Sequence, residues 1–113
     1  MDPKDFRITV SELFDRIEVS LNQHAVEGVE SIRGDGRLAL QVRDGRELAI
    51  TSDVDARRLI LSFDTAEPCR FYYHEIEEQW LEERAQEPIA DTINRLLAAE
   101  TGSTITIPTE DLS

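Results

Sequence analysis

The sequence predicts an α+β fold, a two-layer sandwich in which two helices pack on one face of an antiparallel β-meander sheet. Three observations predict it: an apolar stripe with helical spacing near the N-terminus, a central run of alternating apolar and polar residues, and a second helical stripe near the C-terminus. Such helices and such a sheet bury their apolar surfaces together only when both helices lie on one face. The predicted order is helix, five strands, helix and a final strand.

The first helix is predicted from about Asp5 to about Asn22. Pro3 suits its first turn, where a missing N–H costs nothing. A start at Thr9, with Glu12 three residues later as a capping box, is the alternative. In either case the apolar stripe consists of Phe6, Val10, Leu13, Phe14, Ile17 and Leu21.

Turn residues divide the central part of the chain at 34–36, 44–45, 52–55 and 66–68. Asp44-Gly45 tolerates the positive φ angles of a two-residue hairpin turn, so a hairpin is expected there. The strands between these turns have period-two patterning. The residues expected on their core face are Leu38, Leu40, Val42, Leu48, Ile50, Leu59, Leu61 and Phe63.

The segment before the second helix carries a mixed signal. Phe71 and Tyr73 alternate as in a strand, whereas Tyr72, Ile76 and Trp80 are spaced four apart as in a helix. A strand, a turn and a second strand are favoured.

Glu87-Pro88 opens the second helix, and Gly102 is placed to close it. Residues 104–107 alternate as a short final strand, and residues 109–113 are expected to be a frayed tail. The apolar stripe of this helix is Ile89, Ile93, Leu96 and Leu97.

Size and charge limit the possible functions. With 113 residues the chain can build one hydrophobic core, so a single domain over 1–113 is expected. Acidic residues outnumber basic ones 24 to 12, and this field repels nucleic acid and anionic membranes. A single cysteine, Cys69, permits no intramolecular disulfide, and no window approaches the ~18 apolar residues of a membrane span. A cytoplasmic monomer that binds neither nucleic acid nor membranes is therefore expected.

Two carboxylates on the first helix are candidate metal ligands. Asp15 and Glu18 lie three apart on one helix edge, close enough to reach one ion. Carboxylates without a histidine or cysteine cluster suit weakly held Fe(II), Mn(II), Mg(II) or Ca(II). The alternative is that both are solvated charges, or that Glu18 pairs with a nearby arginine. His24 is either a ligand or a favourable charge at the helix end.

A docking surface is expected around Trp80. Its indole is either a core anchor or an exposed binding residue, and Tyr72, Arg57 and Arg58 are expected as its neighbours. An enzyme is not expected, because His74 stands beside tyrosines and a glutamate without a recognisable nucleophile motif or Gly-rich loop.

These residues together resemble the bacterial members of the frataxin family. The resemblance covers nearly the whole chain, mostly at core and turn positions. It is carried by Leu13-Phe14, Ile17-Glu18, Leu21, Gly36-Arg37-Leu38-Ala39-Leu40, Asp44-Gly45, Phe71, Tyr73, Trp80, the 88–102 helix and the 104–107 strand.

The resemblance implies an α-β sandwich that binds iron (Fe2+/Fe3+) weakly on carboxylates of the first helix and first strand. Here Glu18 and Glu30 match those positions, with Glu27 close by. It also implies docking on the cysteine desulfurase and scaffold complex that builds iron-sulfur clusters.

Two parts of the family pattern are replaced. Asn22, Gln23 and His24 stand where the family has further acids. The family's Asn, Gln, Pro, Gln and Trp on the sheet are replaced by Thr51, Asp53, Asp55, Arg58 and Ile60. The leading hypothesis is a non-enzymatic, frataxin-like accessory protein, and the alternative is a small acidic binding module or secretion-type chaperone without a metal function.

Overall fold

Two helices and a six-stranded antiparallel sheet form the structure, a computed structural model that describes residues 1–23, 29–42, 45–63, 67–101, 107–108 and 112. The elements are α1 (Pro3–Gln23), β1 (Val29–Gly34), β2 (Arg37–Val42), β3 (Glu47–Asp53), β4 (Arg58–Phe63), β5 (Cys69–His74), β6 (Gln79–Glu82) and α2 (Ile89–Thr101). The strands follow one another in the sheet in chain order. The predicted two-layer α+β sandwich is confirmed, with six strands between the helices where the predicted order has five.

The first helix begins at Pro3, so the alternative start at Thr9 is wrong. Asp2 provides the N-terminal cap, since its Oδ1 accepts the N–H of Asp5 at 2.8 Å. The Thr9 hydroxyl instead donates to the carbonyl of Asp5 within the helix, at 2.9 Å. Every residue of the predicted apolar stripe of α1 is buried.

One face of the sheet carries the core. Directly opposed residues of antiparallel strands share a face, and the pairs Leu38–Ile50 and Ile50–Leu61 continue the apolar surface from strand to strand. Buried residues of both helices belong to the same core cluster. The other face of the sheet is called the open face below.

The turns between strands differ in one detail from the prediction. Gly36 has φ +69, and a Cβ at this position would lie 2.7 Å from the Ser52 hydroxyl, so a larger residue would be strained and would displace that hydroxyl. In the next hairpin the Val42 N–H donates to the carbonyl of Arg46, which leaves three residues in the connection instead of two. Gly45 takes the left-handed conformation, φ +91, as is usual in three-residue hairpin loops.

The C-terminal part of the chain is fastened to α2. The side-chain amide of Asn94 donates to the carbonyl of Ile107 at 2.8 Å and accepts its N–H at 2.7 Å. Leu112 is only 4% exposed and belongs to the core, which contradicts a frayed tail at that residue. Residues 102–106, and with them the helix stop at Gly102 and most of the predicted final strand, lie outside the described residues.

Neither helix in the described part of the chain combines the length and apolarity needed to cross a bilayer.

Candidate docking and metal surfaces

The acidic edge of α1 is partly neutralised by an arginine from the sheet. Arg33 on β1 forms an ion pair with Asp15. Its guanidinium also donates to the Ser11 hydroxyl at 2.8 Å and lies 5.7 Å from the centre of the Phe14 ring. Arg33 is therefore held by three residues of α1, and Asp15 is already paired.

Glu30 does not converge on Asp15. Glu30 is paired with Gln41, which lies between core-facing Leu40 and Val42, so Glu30 points to the open face, away from the helices. Glu18 is half-buried on α1 and makes no ion pair with another described residue.

Glu27 and His24 lie outside the described residues. Among the residues that are described, no three histidine, cysteine, aspartate or glutamate side chains are grouped to hold a metal ion. Asp15, Glu18 and Glu30 therefore do not form a single set of oxygen donors for iron.

Trp80 is a core residue, so the prediction that it serves as a docking residue is wrong. It is 2% exposed, and its ring centre lies 5.8 Å from that of Phe6 and 5.3 Å from that of Tyr73. Tyr73 is also its partner across β5 and β6, which places both rings on the helix-covered face. Burial of this large ring against α1 explains why the open face cannot use it.

Two of the predicted docking residues do meet on the open face. The guanidinium carbon of Arg58 lies 5.8 Å from the centre of the Tyr72 ring, a distance at which cation-π attraction operates. The Arg58 Nε donates to Glu83 at 2.5 Å, and the Tyr72 hydroxyl donates to Gln86 at 2.5 Å. These four residues are called the Arg58–Tyr72 patch.

Arg57 lies outside this patch. It occupies the turn before β4 with φ +54, and its Nε donates to the carbonyl of Met1 at 3.1 Å. Its Nη1 donates to the carbonyl of Val54. Arg57 therefore closes a turn and contacts the N-terminus.

A second ion pair on the open face was not predicted from the sequence. Arg37 and Glu47 form an ion pair, and the cross-strand pair Ala39–Ala49 lies between them along β2 and β3. The two alanines are 0% and 9% exposed although they belong to the open face. The long side chains thus cover the alanines, as charged residues with long stems often do. In the sequence, this ion pair was indicated only by two oppositely charged residues that flank two alanines.

Cys69 and His74 both lie in surroundings that fit a structural role. Burial raises the pKa of the Cys69 thiol, and the carboxylates of Glu82, Glu87 and Glu67 raise it further against the opposing charge of Arg95. The thiol therefore stays protonated and is a poor nucleophile. The Nδ1 of His74 accepts the N–H of Glu77 at 3.1 Å, so this ring stabilises the turn between β5 and β6.

The antiparallel sheet, covered by two helices on one face and open on the other, makes the protein a two-layer α-β sandwich. The family model described as a Frataxin-like domain matches residues 1–103, and the chain belongs to this family.

The chain is 35% identical over 71 residues to the iron-sulfur cluster assembly protein CyaY of Thioalkalivibrio sulfidiphilus (strain HL-EbGR7). That match covers 63% of this chain and 65% of the relative, so it spans slightly less than two thirds of the relative's length. A frataxin from Psychromonas ingrahamii, described as a model of stability modulation within the CyaY family, superposes with a TM-score of 0.87. The superposition covers 96% of this chain and 99% of the Psychromonas ingrahamii chain. Because the two sequences are only 14% identical, it supports the fold alone.

Proposed function

We propose that the chain is a frataxin-like accessory protein of iron-sulfur cluster assembly that acts by docking and not by catalysis. The observation that carries this proposal is the family match over residues 1–103. A relative in the same family is named as an iron-sulfur cluster assembly protein. The partner proposed is therefore the complex of a cysteine desulfurase and its cluster scaffold.

The Arg58–Tyr72 patch is the proposed contact on the open face. Arginine and tyrosine are the residue types most often found at energetic centres of protein interfaces. Their side chains are already ordered by Glu83 and Gln86, so docking costs less side-chain entropy than ordering free side chains would. This surface differs from the family's Asn, Gln and Trp signature, so its partner surface must differ correspondingly.

Docking is tested by binding of the purified chain to the desulfurase-scaffold complex of its own organism, measured by calorimetry. Arg58→Ala is expected to weaken binding about tenfold, the scale of a central interface residue. Glu67→Gln, an exposed change away from the patch, is the control. Absence of binding by the unmodified chain would contradict the proposal, and co-purification with one exported protein would favour a secretion-type chaperone.

Iron enters this proposal as a weakly bound cargo. Glu18 has no ion-pair partner among the described residues, whereas Oδ1 of Asp15 is engaged by Arg33 although the Asp15 side chain is 63% exposed. A single exposed or half-buried carboxylate leaves most of the coordination to water, so binding is expected to be weak.

The iron role is tested by adding Fe(II), or Co(II) as a paramagnetic substitute, while amide NMR signals are recorded. Perturbation is expected first near Glu18, with Glu27 and Glu30 as the remaining candidates. Arg33→Gln is expected to strengthen the effect near Asp15, because it removes the competing positive charge. A titration that leaves α1 and β1 unperturbed would contradict iron binding and would leave docking as a separate question.

A further inference from the structure

A groove lies between α1 and the hairpin formed by β5 and β6. Its volume is about 260 Å³, below the range of about 300–1,000 Å³ that is usual for small-molecule sites. It is on the opposite flank of α1 from the Arg33–Asp15 pair, because Glu12 and Arg16 line it while Ser11 and Asp15 contact β1. The groove is therefore distinct from the surfaces used in the proposed function.

The groove has an apolar floor, and its charged lining residues are two glutamates and Arg16. Leu13 and Trp80 line it and are nearly fully buried. Glu12 contributes a carboxylate from the helix, and Glu78 contributes one from the hairpin turn. Carboxylates on two different elements thus border an apolar floor.

Tyr73 also lines the groove and is affected by these charges. Burial raises the pKa of Tyr73, and Glu78, Glu12 and Glu75 raise it further, whereas Arg16 lowers it. The carboxylates therefore dominate the electrostatic environment of this hydroxyl, with Arg16 as the opposing charge.

An exposed isoleucine stands in the same turn as Glu78. Ile76 is 91% exposed, the highest value among the large hydrophobic residues described. It lies between Glu75 and Glu77, and the bond from the Glu77 N–H to His74 holds the turn. The hairpin therefore presents an apolar side chain from a turn that is fixed by its own hydrogen bond.

We propose that this groove receives an arginine side chain of a protein partner, while Ile76 contacts an apolar residue next to that arginine. The groove has room for one side chain, its two glutamates outnumber Arg16 so that its lining is net negative, and an aromatic ring lines it. A planar guanidinium can bond carboxylates and contact an aromatic ring at the same time, which an ammonium group does less well.

The test uses the blocked dipeptide acetyl-Arg-Leu-amide as the probe, with acetyl-Gln-Leu-amide as the matched neutral peptide. Amide NMR spectra of the full chain are recorded during each titration. The arginine peptide is expected to shift signals of residues 9–16 and 73–80 saturably. Equal shifts with the glutamine peptide, or shifts spread over the whole acidic surface, would overturn the proposal.

Substitutions distinguish binding in the groove from general attraction to the acidic surface. Glu12→Gln and Glu78→Gln are each expected to weaken binding of the arginine peptide about threefold, which is the effect of losing one exposed ion pair. Glu67→Gln removes the same charge elsewhere and is expected to leave the affinity unchanged. Equal weakening in all three variants would show simple charge attraction and contradict the groove.

Two further outcomes complete the test. Ile76→Ser is expected to weaken binding of the peptide and leave the fold intact, because the side chain is 91% exposed. If the groove signals shift on dilution without peptide, the occupant is a second copy of the chain and the proposal fails. Failure of peptide binding would leave the proposed role in cluster assembly untouched, since the assembly complex takes no part in the experiment.

Discussion

The helix-covered face and the open face of the sheet are made from alternate residues of the same six strands, yet their side chains interact in opposite ways. On the covered face, apolar residues of the sheet and of both helices form one core cluster. The open face is held by ion pairs and polar contacts such as Arg37–Glu47 and Arg58–Glu83. Apolar burial stabilises a fold strongly, whereas exposed ion pairs contribute ~0–1 kcal/mol each.

This difference shows which part of the molecule is free to change. Substitutions on the open face change charge and shape without opening the core, so a new contact surface costs little stability. Arg58 and Ile60, which the resemblance places at the positions of the family's sheet signature, lie on this face because they alternate with the core residues Leu59 and Leu61.

The difference between the two faces predicts that the largest loss of stability follows substitution of Trp80. Trp80→Ala is expected to lower the free energy of unfolding by about 3–5 kcal/mol, because it leaves a cavity between Phe6 and Tyr73. Tyr72→Ala, one strand away on the open face, is the control and is expected to cost about 1 kcal/mol. Urea unfolding measures both, and equal losses would remove the distinction between the two faces.

A smaller loss is predicted at Asn94 on α2. Asn94→Ala removes two hydrogen bonds to Ile107 and is expected to cost about 1–3 kcal/mol, since it leaves backbone groups of a buried residue unpaired. Asn94→Asp keeps the acceptor for the Ile107 N–H and loses the donor. Its unfolding midpoint should therefore fall between those of the unmodified chain and of Asn94→Ala. A midpoint for Asn94→Ala that matches the unmodified chain would show that this contact does not secure the C-terminal part.

A pH-dependent effect is predicted at Glu87, before α2. Burial alone would raise the pKa of Glu87, but hydrogen bonds from Thr92 and Arg95 and the charge of Arg95 outweigh it, so the pKa lies below its ordinary value of 4.5. The folded protein therefore binds this proton more weakly than the unfolded chain. The resulting stability is present above pH 4.5 and is lost as the pH falls through the lower, folded pKa.

Glu87→Gln measures that contribution. The variant is expected to be less stable than the unmodified chain by about 1 kcal/mol at neutral pH, because the ion pair is partly exposed. Urea unfolding at a series of pH values should show this difference shrinking below pH 4.5. A difference that stays constant down to the acid limit would mean that the carboxylate charge plays no part.

The smallest effect is predicted for the ion pair over Ala39 and Ala49. Glu47→Gln is expected to change the free energy of unfolding by about 0.5 kcal/mol or less, and less still in high salt. Chemical denaturation at low and high ionic strength measures it. A loss approaching that of Trp80→Ala would show that the open face also carries the fold.

The sequence predicted most of the fold because the signals involved are local. The apolar stripe of α1 and the alternation of β2 and β4 follow directly from the periods of helix and strand. The strand, turn and strand around Tyr73 were favoured and are confirmed. The length of the hairpin after Val42 was wrong by one residue, because Asp44-Gly45 is compatible with more than one loop length.

The candidate site was predicted less well, since its arrangement depends on contacts between distant parts of the chain. Asp15 and Arg33 are 18 residues apart, and their pairing follows only from the position of α1 against β1. Trp80 suited either face of a strand in the sequence, and only its pairing with Tyr73 placed it in the core. Arg58 and Tyr72 were predicted as neighbours of Trp80, but they meet each other on the open face while Trp80 lies in the core.

By itself the sequence determined the class of fold, the positions of its helices and most of its turns, because hydrophobic periodicity and turn chemistry act over a few neighbouring residues. The tertiary structure alone decided which charges are paired, which aromatic ring is buried and where a groove opens beside α1. Those features depend on distances between elements that are remote along the chain, and no local pattern records such distances.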